Sequence, residues 1–173
     1  MRLSEKRVAY LIEDGFEDLE FWVPFMRLRE EGARVTVVGS GSASQYRGKG
    51  CLLANPDVKA DEVSALDFDA VVVPGGWAPD KLRRYPAVLD LVRGAYQQGK
   101  IVAAICHAGL VIISAGIVGG HRATGSLGIK DDLVNAGATW VDEPAFRDGN
   151  LVWGRVVEDI PDFCRELVGA LSD

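Results

Sequence analysis

A chain of 173 residues, 48% of them hydrophobic, buries one sizeable core and is too short for a second independent domain to be expected. Its net charge of −6, with Lys and Arg scattered along the chain, excludes the basic field that nucleic-acid binding requires, and the apolar run Val8 to Ile12 is too short for a signal or membrane segment. Three widely spaced cysteines, Cys51, Cys106 and Cys164, without a C-x-x-C pair and with only 2 histidines, point to a reduced cytoplasmic protein with no structural zinc, and no metal or other cofactor is expected.

Arg7 to Ile12 reads as a short buried strand. Glu17 to Glu31 follows as a helix with Leu19, Trp22, Val23, Met26 and Leu28 at helical spacing, where Pro24, lacking an N–H, is expected to kink or divide it. Gly32 ends that helix and Arg34 to Val38 is a second strand, giving a β-α-β opening. The Gly- and Ser-rich stretch from Gly39 to Ala60 suggests a small peripheral hairpin. Ala70 to Val73 is a buried strand ending in Pro74-Gly75-Gly76, Tyr85 to Gln98 a helix, Ile101 to Ile105 a fourth strand and His107 to Ala115 a buried helix, apolar nearly all round. Beyond it, Ile129 to Ala136 looks helical, Trp140-Val141 and Leu151 to Trp153 look like strands with a turn at Asp148-Gly149-Asn150, and Ile160 to Leu171 is an amphipathic helix. Strands alternating with helices, the strands continuously apolar, predict an α/β sandwich around a mainly parallel sheet.

In an open α/β sheet the reactive groups gather beyond the carboxyl ends of the strands. There the sequence places Glu13, Asp14 and Glu17 after the first strand, Gly75 and Gly76 after the third, and Cys106 with His107 after the fourth. Cys106 at a sharp strand-to-helix turn is either a nucleophile, activated by the helix end that follows, or a small buried core thiol. His107 is a proton carrier for it or a hydrogen-bonded structural histidine. The amide of Gly76, with that of His107, can polarise a carbonyl, while the Pro-Gly-Gly segment is equally a plain turn. Glu17 is either a first-turn helix carboxylate or a proton partner of the thiol, whose pKa burial would raise. Cys51 and Cys164 read as structural, and Lys81, Arg83 and Arg84 as a solvated helix face.

The segments Glu13-Asp14-Gly15-Phe16-Glu17-Asp18-Leu19-Glu20, Pro74-Gly75-Gly76, Ala78-Pro79-Asp80-Lys81-Leu82-Arg83 and Ala104-Ile105-Cys106-His107-Ala108-Gly109 together resemble the PfpI/ThiJ family. Ile129-Lys130-Asp131-Asp132-Leu133, Asn135-Ala136-Gly137-Ala138 and Asp148-Gly149-Asn150-Leu151 extend the resemblance over almost the whole chain. It implies a flavodoxin-like three-layer sandwich of the class I glutamine amidotransferase-like type and a homo-oligomer, dimer or hexamer. It also implies Cys106 as nucleophile, His107 as the adjacent imidazole and Glu17 as the acid beside the sulfur, with Asp80 reaching the histidine of a neighbouring subunit. The activities it implies are cofactor-independent glyoxalase or deglycase action on small carbonyls, cysteine peptidase action, isonitrile hydration, and a chaperone or redox-sensing role.

Departures from the family pattern fall at Trp77, Gly109, Gly125-Ser126-Leu127-Gly128 and Trp153-Gly154-Arg155. They nominate Trp77, Leu127, Trp153 and Arg155 as a pocket rim favouring a small, partly apolar substrate, with the tryptophans alternatively packing at a subunit interface. Conversion of a 2-oxoaldehyde to a 2-hydroxy acid is the leading expectation, a peptide substrate the second.

Overall fold

In the computed structural model, which describes residues 1–173, the uninterrupted apolar runs become the inner strands of one seven-stranded sheet. Strand β1 (Arg7–Ile12) leads into helix α1 (Asp18–Glu30) and β2 (Arg34–Gly39), the expected opening. The Gly- and Ser-rich stretch folds as an antiparallel hairpin of β3 (Tyr46–Arg47) and β4 (Leu53–Ala54), after which β5 (Val58–Lys59) adds to the sheet edge beside β2. Next come β6 (Ala70–Val73), the short α2 (Ala78–Leu82), α3 (Pro86–Gln97) and β7 (Ile101–Ile105). A 3-10 turn over Cys106–Ala108 then enters α4 (Gly109–Ser114). Strand β8 (Arg122–Ala123), α5 (Lys130–Asn135) and β9 (Thr139–Trp140) form a satellite with its own two-stranded ladder. The chain finishes with β10 (Ala145–Asp148), β11 (Leu151–Gly154) and α6 (Ile160–Ser172).

The sheet order is β10-β11-β7-β6-β1-β2-β5, parallel throughout except for the β10-β11 hairpin. β1, β6 and β7 lie inside it with helices covering both faces, which is why their sequences are apolar without alternation. Helix α1 packs on α6, and α3 on α4, giving the flavodoxin-like three-layer arrangement. Fifty-four buried apolar residues join in one continuous core.

Helix α1 differs from its sequence reading in two ways. It is neither divided nor broken at Pro24. Proline removes the N–H that would bond the carbonyl of Glu20, and the Tyr10 hydroxyl, rising from β1, donates to that carbonyl at 2.6 Å instead. The face that packs inward is also not the one the spacing of Leu19, Val23 and Met26 suggested, because those three are exposed. Glu20, Phe21, Pro24, Phe25 and Leu28 form the buried stripe, with Phe21 and Phe25 set against the Tyr10 ring. Strands β8 and β10 and helix α2 carry too few apolar positions to be read from sequence.

Candidate active site

Strand β7 ends at Ile105, and Cys106 turns the chain with φ +60°, a left-handed conformation that costs a non-glycine residue about 1–3 kcal/mol unless its surroundings impose it. They do: the Ser126 N–H donates to the Cys106 carbonyl at 3.1 Å. Gly125 lies so close that a Cβ there would sit 2.6 Å from the same oxygen. The elbow is therefore clamped by the Gly125-to-Gly128 loop, and the thiol is held half-buried above the sheet. The backbone N–H groups of Gly76 and His107 both bond toward its sulfur.

The carboxyl beside that sulfur belongs to Glu20. Its Oε2 accepts the Gly75 N–H at 2.8 Å, and the fully buried carboxyl sits beside Cys106 with Oε1 left without a hydrogen-bond partner. Burial first, and the charge of Glu17 second, push its pKa up to about 8, so it keeps its proton at neutral pH. The Cys106 thiol is pushed up to about 12 by burial, then by the charge of Glu20, against the opposing pull of the His107 and Gly76 amides. This reverses the expectation of a lowered thiol pKa, because a single 3-10 turn offers little dipole to set against desolvation and a neighbouring carboxylate. The repulsive part of that shift is present only once Glu20 ionises; at neutral pH the thiol and the carboxyl each carry a proton.

His107 presents Nδ1 to the sulfur at 3.3 Å, and this is its only side-chain hydrogen bond within the chain. Burial, then the positive charge of Lys49, lower its pKa, so the ring is neutral at physiological pH. Thiol, imidazole, carboxyl and two amides thus converge on one rim.

The other residues nominated from sequence divide. Glu17 is the N-cap of α1: its Oε2 accepts the Glu20 N–H at 2.8 Å, and a side chain folded back on its own helix start is not the acid at the sulfur. Gly76 (φ +78°) supplies its amide as expected, whereas the N–H of Gly75 is committed to Glu20. Trp77 and Leu127 stand exposed at the rim, but Trp153 is only 1% exposed, since β11 runs between β7 and β10 and buries it. Arg155 is held in ion pairs with Asp142 and Asp159 at 2.9 Å. Within the chain, exposed Asp80 pairs with Arg84 and does not bond His107. Of the acids after β1, buried Glu13 accepts from the hydroxyls of Ser40 and Ser42, and Asp14 accepts the Arg47 N–H, so both fasten loops.

Two residues near the site went unread. Glu20 looked like any early helix glutamate, although its place on the Phe21-Phe25-Leu28 stripe marks it as inward-facing. Lys49 lies in what looked like a peripheral hairpin, yet its ammonium sits 5.0 Å from the centre of the Trp77 ring. No group of three or more His, Cys, Asp or Glu side chains is placed to hold a metal, and no helix is long and apolar enough to cross a membrane.

Residues 6–170 match the DJ-1/PfpI family. A deglycase of Pyrococcus abyssi is 42% identical over 166 residues, covering 96% of this chain and 99% of its own. General stress protein 18 of Bacillus subtilis is 35% identical over 169 residues, covering 96% and 98%. The crystal structure of Drosophila melanogaster DJ-1beta superposes with a TM-score of 0.90 at 29% identity, across 96% of this chain and 90% of that one. With a clamped cysteine elbow, a buried glutamate beneath it and matches running nearly end to end, the chain belongs to the DJ-1/PfpI family.

Proposed function

We propose that the chain is a cofactor-independent cysteine enzyme that converts small 2-oxoaldehydes, or their adducts, to 2-hydroxy acids. The observation that carries this reading is Cys106 Sγ lying 3.3 Å from a neutral His107 ring and facing the amides of Gly76 and His107. The deglycase name of the Pyrococcus abyssi relative supports it.

In this reading the Cys106 thiol gives its proton to His107 Nδ1 as the sulfur adds to the aldehyde carbon. The carbonyl electron pair moves onto oxygen, where the two amides and the protonated Glu20 stabilise the developing charge. His107 returns the proton to that oxygen, leaving a hemithioacetal and a neutral ring. Transfer of the aldehyde-derived hydrogen to the neighbouring carbon, relayed as a proton through the same ring, gives a thioester of the hydroxy acid. Water then hydrolyses the thioester and restores the thiol. No net oxidation occurs, so no redox partner is required.

A second copy of the chain is the partner in this proposal. His107 Nε2 has no bonding partner within the chain, Trp77 and Leu127 are exposed, and Asp80 of a neighbouring copy is suited to that nitrogen if it leaves Arg84. Incubation with methylglyoxal and measurement of lactate tests the assignment. Loss in Cys106→Ser with retention in Cys51→Ser is the expected result; equal activity in all three proteins removes Cys106 from the reaction.

A further inference from the structure

The β3-β4 hairpin and Trp77 enclose a cleft of about 540 Å³ whose lining includes Arg47, Lys49 and Lys81 and a single acid, Asp14. In a chain of net charge −6 this is a local excess of positive charge. None of the three cations forms an ion pair within the chain, whereas Arg27, Arg84, Arg93, Arg147, Arg155 and Arg165 all do. Asp14 does not neutralise them by contact, since its Oδ1 is taken by the backbone N–H of Arg47 at 2.9 Å.

The cations are presented from a fixed loop. Buried Asp18 in the first turn of α1 accepts the N–H groups of Gly50 at 2.5 Å and Leu52 at 2.8 Å, locking the turn that carries Lys49. Neither Cys106 nor His107 lines the cleft; Trp77, which does, directly follows Gly76, whose amide bears on Cys106. Lys49 links the two regions: its ammonium lies over the Trp77 ring, and its charge is felt at both Glu20 and His107. A volume of this size suits a ligand well beyond a three-carbon aldehyde.

We infer that this cleft seats an anionic group, a carboxylate or phosphate, borne by the carrier to which the reactive carbonyl is attached. The inference rests on the carbonyl-enzyme reading above and specifies its substrate class. The carbonyl meets Cys106 on one side of Trp77 while its carrier's anion meets Lys49, Arg47 and Lys81 on the other.

The test compares hemithioacetals of methylglyoxal with 2-mercaptoethanol, which is neutral, and with 3-mercaptopropionate, which carries a carboxylate. The wild-type protein is expected to favour the anionic adduct in kcat/KM by about tenfold, with the ratio falling toward one in Arg47→Gln/Lys49→Gln. A ratio near one in the wild type, or one that survives in the double variant, overturns the inference. A binding arm separates this from the reaction itself: inorganic phosphate and propionate are titrated separately while the backbone amide resonances of Gly48, Lys49 and Trp77 are followed. Saturable shifts in the wild type that vanish in the double variant support the anion seat even if no adduct is turned over, a result that would defeat the carbonyl reading alone. The stronger of the two anions identifies the group, and the absence of shifts with both overturns the seat.

Discussion

Glu20 and Cys106 meet between the start of α1 and the end of β7, the carboxyl buried beside the thiol and anchored by the Gly75 N–H at 2.8 Å. Glu17, three residues earlier, is spent on the helix cap. Glu20→Gln is therefore expected to lower lactate formation from methylglyoxal by about 100-fold or more, whereas Glu17→Ser, which keeps a capping oxygen, changes it by less than about threefold. Equal losses in the two variants would return the role to Glu17.

The same carboxyl couples stability to pH. Its pKa is raised from 4.5 to about 8, so between those values the folded chain binds more protons than the unfolded one. The contribution is fully present below the unfolded value and is lost as pH rises through the folded one, at up to about 1.4 kcal/mol per pH unit. Denaturant unfolding of the wild type and Glu20→Gln across this window should show the variant gaining on the wild type as pH rises. Parallel curves would mean that Glu20 titrates in the ordinary carboxylate range.

Thiolate absorbance near 240 nm reads the pair from its other end. Because burial comes first and the charge of Glu20 second in holding the Cys106 thiol up, Glu20→Gln removes one cause and leaves the other. Thiolate formation at Cys106, measured in a Cys51→Ser background, should move to lower pH in the variant without reaching the range of a free thiol. A midpoint that stays or rises would show that the charge of Glu20 does not hold the thiol up.

Two left-handed glycines offer a contrast of backbone roles. At Gly76 (φ +78°) an added Cβ would lie 2.4 Å from both the Glu17 N and the Gly15 carbonyl oxygen, while at Gly116 (φ +74°) it would meet nothing within 4 Å. Gly116→Ala should cost only the conformational term, about 1 kcal/mol. Gly76→Ala should cost several times as much and shift the amide that bonds toward Cys106, seen as a larger fall in unfolding temperature together with lost turnover. Similar losses at both positions would show that the close packing around Gly76 yields without consequence.

The cysteine elbow was legible because an unbroken apolar strand followed directly by Cys106-His107 admits few geometries. The acid was not, for a reason traceable to α1. Apolar side chains are present on both sides of that helix, and choosing Leu19, Val23 and Met26 as the inner face turns Glu20 toward solvent. The packed stripe through Phe21, Phe25 and Leu28 turns it inward. Glu17 and Glu20 are the same residue type one helical turn apart, so only knowledge of the buried face separates cap from acid. Trp153 was misplaced for a related reason: β11 is an inner strand because β10 pairs outside it, and β10, with Arg147 and Asp148 in its four residues, does not look like a strand.

The first turn of α1 carries Glu17 on the helix cap, Asp18 on the hairpin loop and Glu20 at the thiol. Adding or deleting one residue between Ile12 and Asp18 would displace the start of α1 relative to the end of β1 and disturb all three contacts at once. Loop length between β1 and α1 is thus a requirement of its own, beside the left-handed Gly15 and the buried Phe16. A redesign of this segment has to keep both the number of residues it spans and the buried Phe16 ring that packs on Phe21.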